Sequence, residues 1–184
     1  MPDPVRALTR LFRWGIPTPA RALARGVSYG PETDVALRFQ ALLEAEAPGI
    51  PLDDGEAFRS ALLPAVKAFI ATERTEIEAA HRAGASGLEV VARHAELVDA
   101  VLCRLFRLVD LNVAPTIKEQ SHGCAVVALG GYGRRELNPA SDVDVMFLYP
   151  RRVDDYVGAI LNHVLYFLWD LGFDVGHSCR SLSE

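Results

Sequence analysis

The N-terminal part of the chain carries apolar residues at helical spacing rather than in alternation. Residues 33–47 show a short helical pattern that ends at Pro48, because proline cannot continue a helix. From Asp54 to Gly84 the apolar positions again recur three and four residues apart, and Pro64 is expected to kink this second element. The pattern predicts two helices separated by a break that contains proline and glycine.

A third, longer helix is predicted after the capping-box sequence Ser86–Glu89, in which both end residues cap the first turn. One apolar seam runs along this helix, and it consists of Leu88, Val91, Ala95, Val98, Leu102, Leu105 and Val109. Such a seam suits a partner protein or a coiled coil, but it is short and the preceding helix is an available antiparallel partner. We therefore expect the seam to pack within the chain.

Beyond residue 118 the pattern changes to short runs that predict strands. Cys124–Leu129 is a continuous apolar run that stops at a glycine pair, as fully buried strands do. Asp142–Tyr149 and Phe173–Arg180 alternate between apolar and polar residues, and the helical stripe of Val153–Leu171 separates them. The predicted fold class is α+β, with an N-terminal helical region followed by a small mixed sheet backed by the last helix.

Three segments follow from these patterns. Residues 1–50 form a leader and a short helix, residues 51–118 a helical region, and residues 119–184 the core that contains the sheet. The first 30 residues hold five arginines and four prolines against a single acidic residue. The prolines interrupt any continuous amphipathic helix, so a loosely ordered leader is favoured over a targeting peptide or an anion-binding arm.

Composition narrows the class of protein. With 50% hydrophobic and 23% charged residues, the chain is typical of a soluble globular protein. The net charge of −5 gives no basic field for nucleic acid, and no apolar stretch is long enough to span a membrane. Cys103, Cys124 and Cys179 are widely spaced, which favours reduced thiols in the cytoplasm over disulfides or a zinc site. A cytoplasmic protein without nucleic-acid or membrane partners is expected.

Two aspartates in the second predicted strand are candidate metal ligands. Side chains two apart along a strand share a face, so Asp142 and Asp144 lie together, roughly 6 to 7 Å apart at Cα. Two carboxylates this close repel each other unless a cation lies between them. Oxygen ligands without nearby histidine or cysteine favour Mg²⁺ or Mn²⁺ over zinc. A solvated strand face is the alternative for an Asp-Val-Asp sequence taken alone.

The glycine-rich segment between the first two strands suits a phosphate site. Glycines at Gly130, Gly131 and Gly133 let the backbone approach an anion and direct its N–H groups at it. The Ser141 hydroxyl and the Arg134 guanidinium are further candidates for phosphate contact, although a loop arginine is often only solvated. A Walker loop and a dinucleotide GxGxxG both fail, because Gly-Lys-Ser/Thr is absent and Glu136 stands where the last glycine belongs.

This order of motifs resembles the signature of the DNA polymerase β-like nucleotidyltransferase superfamily, in which Gly-Gly is followed after ten residues by Asp-x-Asp on a hydrophobic strand. Within it, LGGYGRRELNPASDVDVMFLY and LYFLWDLGFDVGHSCRS are similar to the N-terminal catalytic domain of bacterial bifunctional [protein-PII] uridylyltransferase/uridylyl-removing enzymes. The resemblance covers roughly residues 70 to 184. One departure is Arg135, where that family usually has another glycine, and it bears on loop flexibility rather than on metal binding.

The resemblance implies a magnesium-dependent transfer of UMP from UTP to a tyrosine of the signalling protein PII. It implies that Asp142 and Asp144 hold two Mg²⁺ ions, and that a third carboxylate lies on a later strand. Only Glu184 is available after the third strand, and it is a weak substitute. The chain is therefore expected to be a partial nucleotidyltransferase core that is a poor catalyst by itself.

Other functions remain open from the residues alone. A glutamine-synthetase adenylyltransferase would use the same geometry with ATP, and a nucleotidyltransferase fused to nucleotide-sensing modules would share it too. A non-catalytic binding domain that keeps the fold is the alternative from a different class. The resemblance also extends to Gly176, His177, Ser178 and Arg180, and His177 is either a strand residue or a contact to substrate.

Overall fold

The computed structural model describes residues 30–46, 55–113, 117 and 123–184. Three helices come first: α1 spans Asp34–Glu46, α2 spans Gly55–Arg82 and α3 spans Gly87–Asn112. They confirm the three helices that the apolar spacing predicts. The leader predicted for residues 1–29 lies outside the described residues.

The helix ends follow from local chemistry. Ser86 caps α3, because its hydroxyl accepts a hydrogen bond from the backbone N–H of Glu89 at 3.2 Å.

The predicted seam of α3 is buried from Ala95 to Val109, but Leu88 at its start is 75% exposed. Leu88 lies in the first turn of α3, so the expectation that it belongs to the buried seam is wrong. The seam packs against α1 and α2, which confirms packing within the chain.

In residues 123–184 the described elements form a mixed sheet and two further helices. Strand β1 spans Ala125–Ala128, the short helix α4 spans Gly130–Gly133, and β2 spans Val143–Tyr149. Helix α5 spans Asp155–Asp170 and leads into β3 at Val175–Ser181. The strand order is β1-β2-β3, with β1 antiparallel and β3 parallel to the central strand. The α+β class is confirmed.

Strand β1 is less buried than its sequence predicts. The continuous apolar run predicts a fully buried strand, but every residue of β1 is only partly buried. The reason is its place at one side of the described sheet, where only β2 pairs with it. β2 holds the central place, and there the alternation is clean: Val143, Val145 and Phe147 are buried.

Helix α5 joins the sheet to the helical layer. The Asp154 carboxylate caps its first turn by accepting from the N–H of Val157 at 2.9 Å. Its buried stripe meets α2, where the rings of Phe58 and Phe167 lie 6.1 Å apart in an edge-on arrangement. One hydrophobic cluster consequently runs from α1 through α2, α3 and α5 to the buried face of β2.

The described part of the chain contains no helix that is both long and apolar enough to cross a membrane. The three cysteines are free thiols. Burial raises the pKa of Cys103 and of Cys124 to about 12, so neither is a thiolate near neutral pH.

Candidate nucleotide and metal site

Asp142 and Asp144 converge on one face of the sheet at the start of β2. Asp144 is partly buried in the strand, whereas Asp142 immediately precedes it and is exposed. Both carboxylates approach Gly176 of β3: a Cβ atom at Gly176 would overlap Oδ1 of Asp144 and lie 3.6 Å from Oδ2 of Asp142. The parallel register places Gly176 directly beside Asp144 and so brings this strand to the pair.

Gly130 flanks the same carboxylate on its other side. A Cβ atom at Gly130 would lie 2.9 Å from Oδ2 of Asp144, and the backbone there has a φ of 53° that side chains rarely adopt. The N–H of Leu129 donates to the backbone carbonyl of Asp144 at 2.9 Å. This bond fixes the start of the glycine turn next to the aspartate.

The rest of the turn is held by close backbone packing. A Cβ atom at Gly133 would lie 2.6 Å from the carbonyl oxygen of Ala128, a distance that no side chain tolerates against rigid backbone. One at Gly131 would lie 3.1 Å from the carbonyl oxygen of Glu136. The carbonyl of Gly131 in turn accepts from the N–H of Glu136 at 2.8 Å. Close packing against Ala128 therefore requires a glycine at Gly133, in addition to any approach of an anion to the backbone.

Tyr132 anchors the turn to the helical layer, a role that the sequence patterns do not reveal. Its side chain is buried and its hydroxyl donates to Oδ1 of Asp99 in α3 at 2.7 Å. Burial raises the pKa of Asp99, and the bond from Tyr132 and the charge of Arg135 oppose that rise. Burial and the neighbouring Asp99 raise the pKa of Tyr132 well above its usual value, so the phenol stays a donor. No periodicity connects residues this far apart in sequence.

Arg135 has a φ of 59°, in the left-handed region that favours glycine. The usual glycine of the resembling family is thus what the backbone prefers here, and the arginine in this chain carries a local strain. Its charge acts on Asp99, so the departure adds an electrostatic contact to the Tyr132 anchor.

The remaining predicted phosphate contacts lie on the exposed side of the loop. Arg134 follows α4 directly, and its Nε donates to the Glu136 carboxylate at 3.0 Å. Both side chains are more than half exposed, so this ion pair is weak and exchangeable. Ser141 is exposed beside Asp142, and its backbone N–H donates to the carbonyl of Asn138 at 2.9 Å.

His177 lies on the face opposite the aspartates. It pairs with Val145, whose side chain is buried on the α5 side, and its ring is 5.6 Å from Trp169 of α5. His177 is thus a residue of β3 whose ring lies away from the aspartates, and its contact with a substrate stays a prediction. Ser178 and Arg180 alternate with it and share the face of Asp144.

Glu184 does not complete the aspartate pair. Ser181 at the end of β3 pairs with Tyr149, five residues along β2 from Asp144, which is roughly 16 Å at the usual rise per residue. The Glu184 carboxylate instead accepts from the N–H of Ser181 at 2.7 Å. Within the described ranges, no group of three or more histidine, cysteine, aspartate or glutamate side chains is placed to hold a metal ion.

The residues present nevertheless fit a divalent cation of the Mg²⁺ type. Two carboxylates approach one point from the same face, and the ligand atoms that they offer to a cation are all oxygens. The positions flanking Asp144 on both sides are glycines, so no side chain fills the space beside its oxygens there. Nucleotide phosphates would supply further oxygen ligands, as is usual for Mg²⁺ sites.

The mixed sheet, the glycine turn and the aspartate pair are the parts of a nucleotidyltransferase site that the sequence resemblance predicts. The comparison with protein families is more specific: the chain belongs to the glutamate-ammonia ligase adenylyltransferase family, whose family model matches residues 52–163. The matched segment includes both the Tyr132 anchor and the aspartate pair. No solved structure matches the chain.

Individual relatives carry a second name, bifunctional uridylyltransferase/uridylyl-removing enzyme. The relative from Azospirillum brasilense is 37% identical over 131 residues, 71% of this chain and 14% of the relative. The relative from Erythrobacter litoralis is 36% identical over 141 residues, 76% of this chain and 15% of the relative. These matches confirm the resemblance noted in the sequence. The chain thus aligns with only a small part of each relative's length.

Proposed function

We propose that this chain is a Mg²⁺-dependent nucleotidyltransferase domain that transfers UMP from UTP to a tyrosine of a PII-type nitrogen-regulatory protein in the cytoplasm. The observation that carries the proposal is the convergence of Asp142 and Asp144 beside Gly130 and Gly176. It places two negative charges next to a glycine turn, and this arrangement suits a metal-bound triphosphate. The names of the relatives favour the uridylyl group.

The binding role in this proposal belongs to the glycine turn. The first N–H groups of a helical turn have no intrahelical acceptor, so those of Gly130 and Gly131 would donate to phosphate oxygens. Ser141 is exposed and directly precedes Asp142, so its hydroxyl is a further candidate for phosphate contact. Arg134 would reach the triphosphate by exchanging its exposed partner Glu136 for a phosphate, at a small cost in free energy.

The aspartates would hold the metal. Mg²⁺ at Asp142 and Asp144 would supply charge neutralisation for the triphosphate and activation of the acceptor hydroxyl. The chain's own contribution is orientation: Asp144 is fixed in a paired strand, and its backbone carbonyl is bonded to Leu129 at the start of the turn. This coupling holds the carboxylate and the phosphate donors in one geometry, which in-line transfer to a hydroxyl requires.

A second candidate is transfer of AMP from ATP, because the matching family model is named for an adenylyltransferase. The described site residues would serve either nucleotide, since phosphate and metal contacts do not distinguish bases. A third candidate is a nucleotide-binding regulatory domain without turnover. It draws support from the described residues, which bring two carboxylates together and not three.

Titration calorimetry with the four ribonucleoside triphosphates, each with and without Mg²⁺, separates these functions. Metal-dependent binding selective for UTP supports the proposal, and selectivity for ATP supports the adenylyl alternative. Binding without selectivity, followed by no labelling of a PII protein with radioactive UTP, supports the regulatory domain. Absence of any metal-dependent binding would reject all three.

A further inference from the structure

Gly176 is the second residue of the paired strand β3, where glycine is an unfavourable choice. Glycine destabilises a strand relative to alanine, because it loses more conformational freedom on folding. Its backbone is extended and lies outside the positive-φ region that requires glycine elsewhere in this chain. Backbone conformation therefore gives no reason for a glycine at this position.

The reason lies in the space that a side chain would take. A Cβ atom at Gly176 would overlap Oδ1 of Asp144, and it would also contact Oδ2 of Asp142 at 3.6 Å. The overlapping atoms are the tips of side chains and not backbone, so the strand itself would tolerate alanine. What alanine would change is the position of the carboxylate.

Asp144 meets a second glycine on its other side. A Cβ atom at Gly130 would lie 2.9 Å from Oδ2. The two glycines therefore form a slot, defined here as the space between Gly130 and Gly176 that the Asp144 carboxylate occupies. A side chain at either glycine would displace the carboxylate oxygen that faces it.

We propose that Gly176 is a positioning residue for metal binding: its missing side chain holds the Asp144 carboxylate beside Asp142 in the orientation that a divalent cation needs. The inference rests on the proposed function and extends it to β3, which supplies no metal ligand to the slot. Gly176 acts through Asp144 and touches neither the metal nor the nucleotide.

The test uses Gly176→Ala in the full chain, with Gly158→Ala as the matched control. Gly158 lies in α5, and a Cβ atom there would meet nothing within 4 Å. Mn²⁺ serves as the probe, and its binding is measured by electron paramagnetic resonance of the free ion and by the metal-induced rise in melting temperature. We expect Gly176→Ala to melt near wild type without metal and to lose about tenfold or more in Mn²⁺ affinity.

Gly158→Ala should bind Mn²⁺ within about twofold of wild type, a difference of roughly 0.4 kcal/mol. If wild type binds Mn²⁺ neither alone nor together with UTP, the proposed function fails. If wild type and Gly176→Ala bind equally well, the proposed function stands and the role of Gly176 is rejected. The two failures are thus distinguishable.

A second variant covers the case in which Gly176→Ala does not fold. The double variant Gly176→Ala/Asp144→Ala removes the carboxylate that the new methyl group would meet. If it folds while Gly176→Ala does not, the glycine acts through Asp144, as proposed. If both fail to fold while Asp144→Ala folds, Gly176 serves the strand itself and the proposal is overturned.

Discussion

The Tyr132 hydroxyl donates to Oδ1 of Asp99 at 2.7 Å, and this bond ties the glycine turn to helix α3. Both groups are largely removed from water, so the bond has few solvent competitors. The short helix α4, with one turn of backbone bonds, has little stability of its own. The position of α4 is therefore set by this side-chain contact and by the backbone hydrogen bond from Leu129, which precedes α4, to Asp144 in β2.

Tyr132→Phe should lower the free energy of unfolding by about 1–3 kcal/mol, because it leaves the Asp99 carboxylate without its buried donor. Urea denaturation measures this loss. Tyr166→Phe removes the same atom from a residue that is 50% exposed and should change stability by less than about 0.5 kcal/mol. Equal effects of the two substitutions would show that the Tyr132 bond contributes nothing specific.

Asp142→Asn and Asp144→Asn should each abolish metal-dependent nucleotide binding while the fold persists. Without metal the two carboxylates repel each other, so removing one charge should leave the melting temperature unchanged or raise it. The loss of affinity should exceed the 10–100-fold typical of changes outside the ligand shell, because a ligand itself is removed. Calorimetry with Mg²⁺ and UTP measures the loss.

Asp155→Asn is the control for the loss of one acidic charge, since Asp155 lies in the first turn of α5 and is exposed. It should leave nucleotide binding unchanged. Wild-type affinity in Asp142→Asn or Asp144→Asn would reject these residues as metal ligands.

In the glycine turn, Gly131→Val should abolish triphosphate binding, whereas Arg135→Gly should leave it nearly unchanged. A side chain at Gly131 would meet the carbonyl of Glu136 and keep an anion from the backbone. Arg135→Gly relieves the strain of a φ of 59°, which is about 1 kcal/mol for a residue with a side chain. Nucleotide titration and thermal melting check the two effects. A larger loss of binding in Arg135→Gly would mean that the loop acts through its arginine.

His177→Ala should leave Mn²⁺ and nucleotide affinity within about twofold of wild type, or about 0.4 kcal/mol. The ring lies on the α5 face against Trp169, away from the aspartates. Loss of that contact should cost about 0.5–1.5 kcal/mol of stability. Affinity and melting temperature measured on one preparation separate the roles: a loss of affinity at unchanged stability would place His177 in the site after all.

The stability of the protein should fall as the pH drops below about 6.5. Burial lowers the pKa of His163, and the charge of Arg59 lowers it further; burial and Arg74 do the same for His94. A depressed pKa in the folded state means that the unfolded chain takes up the proton first, so this stability is present above the unfolded pKa and lost below it. Denaturation between pH 5 and pH 8, roughly the range of histidine titration, measures the slope.

Replacing His163 with leucine should reduce that slope, and a further His94→Leu should reduce it again. The stepwise order is the test, because each substitution removes one group that titrates differently in the folded and unfolded chain. A slope that stays the same in the double variant would assign the acid sensitivity to other groups.

The elements and the candidate chemistry follow from local patterns of residues. Spacing of three and four specified α1 to α3, because an apolar stripe must be buried along one side of a helix. Alternation around Asp144 placed both aspartates on one face, since side chains two apart on a strand point the same way. The Gly-Gly and Asp-x-Asp spacing carried the resemblance to the nucleotidyltransferase superfamily.

The strands and helices that surround those residues are set by long-range packing. The parallel register of β3 set Gly176 beside Asp144 and turned His177 to the other face. The Tyr132–Asp99 bond joins residues 33 apart, and β1 is partly exposed although its residues are as apolar as those of a buried strand. Local patterns carry the period of an element, but pairing, register and neighbours depend on long-range packing, which no short stretch of sequence encodes.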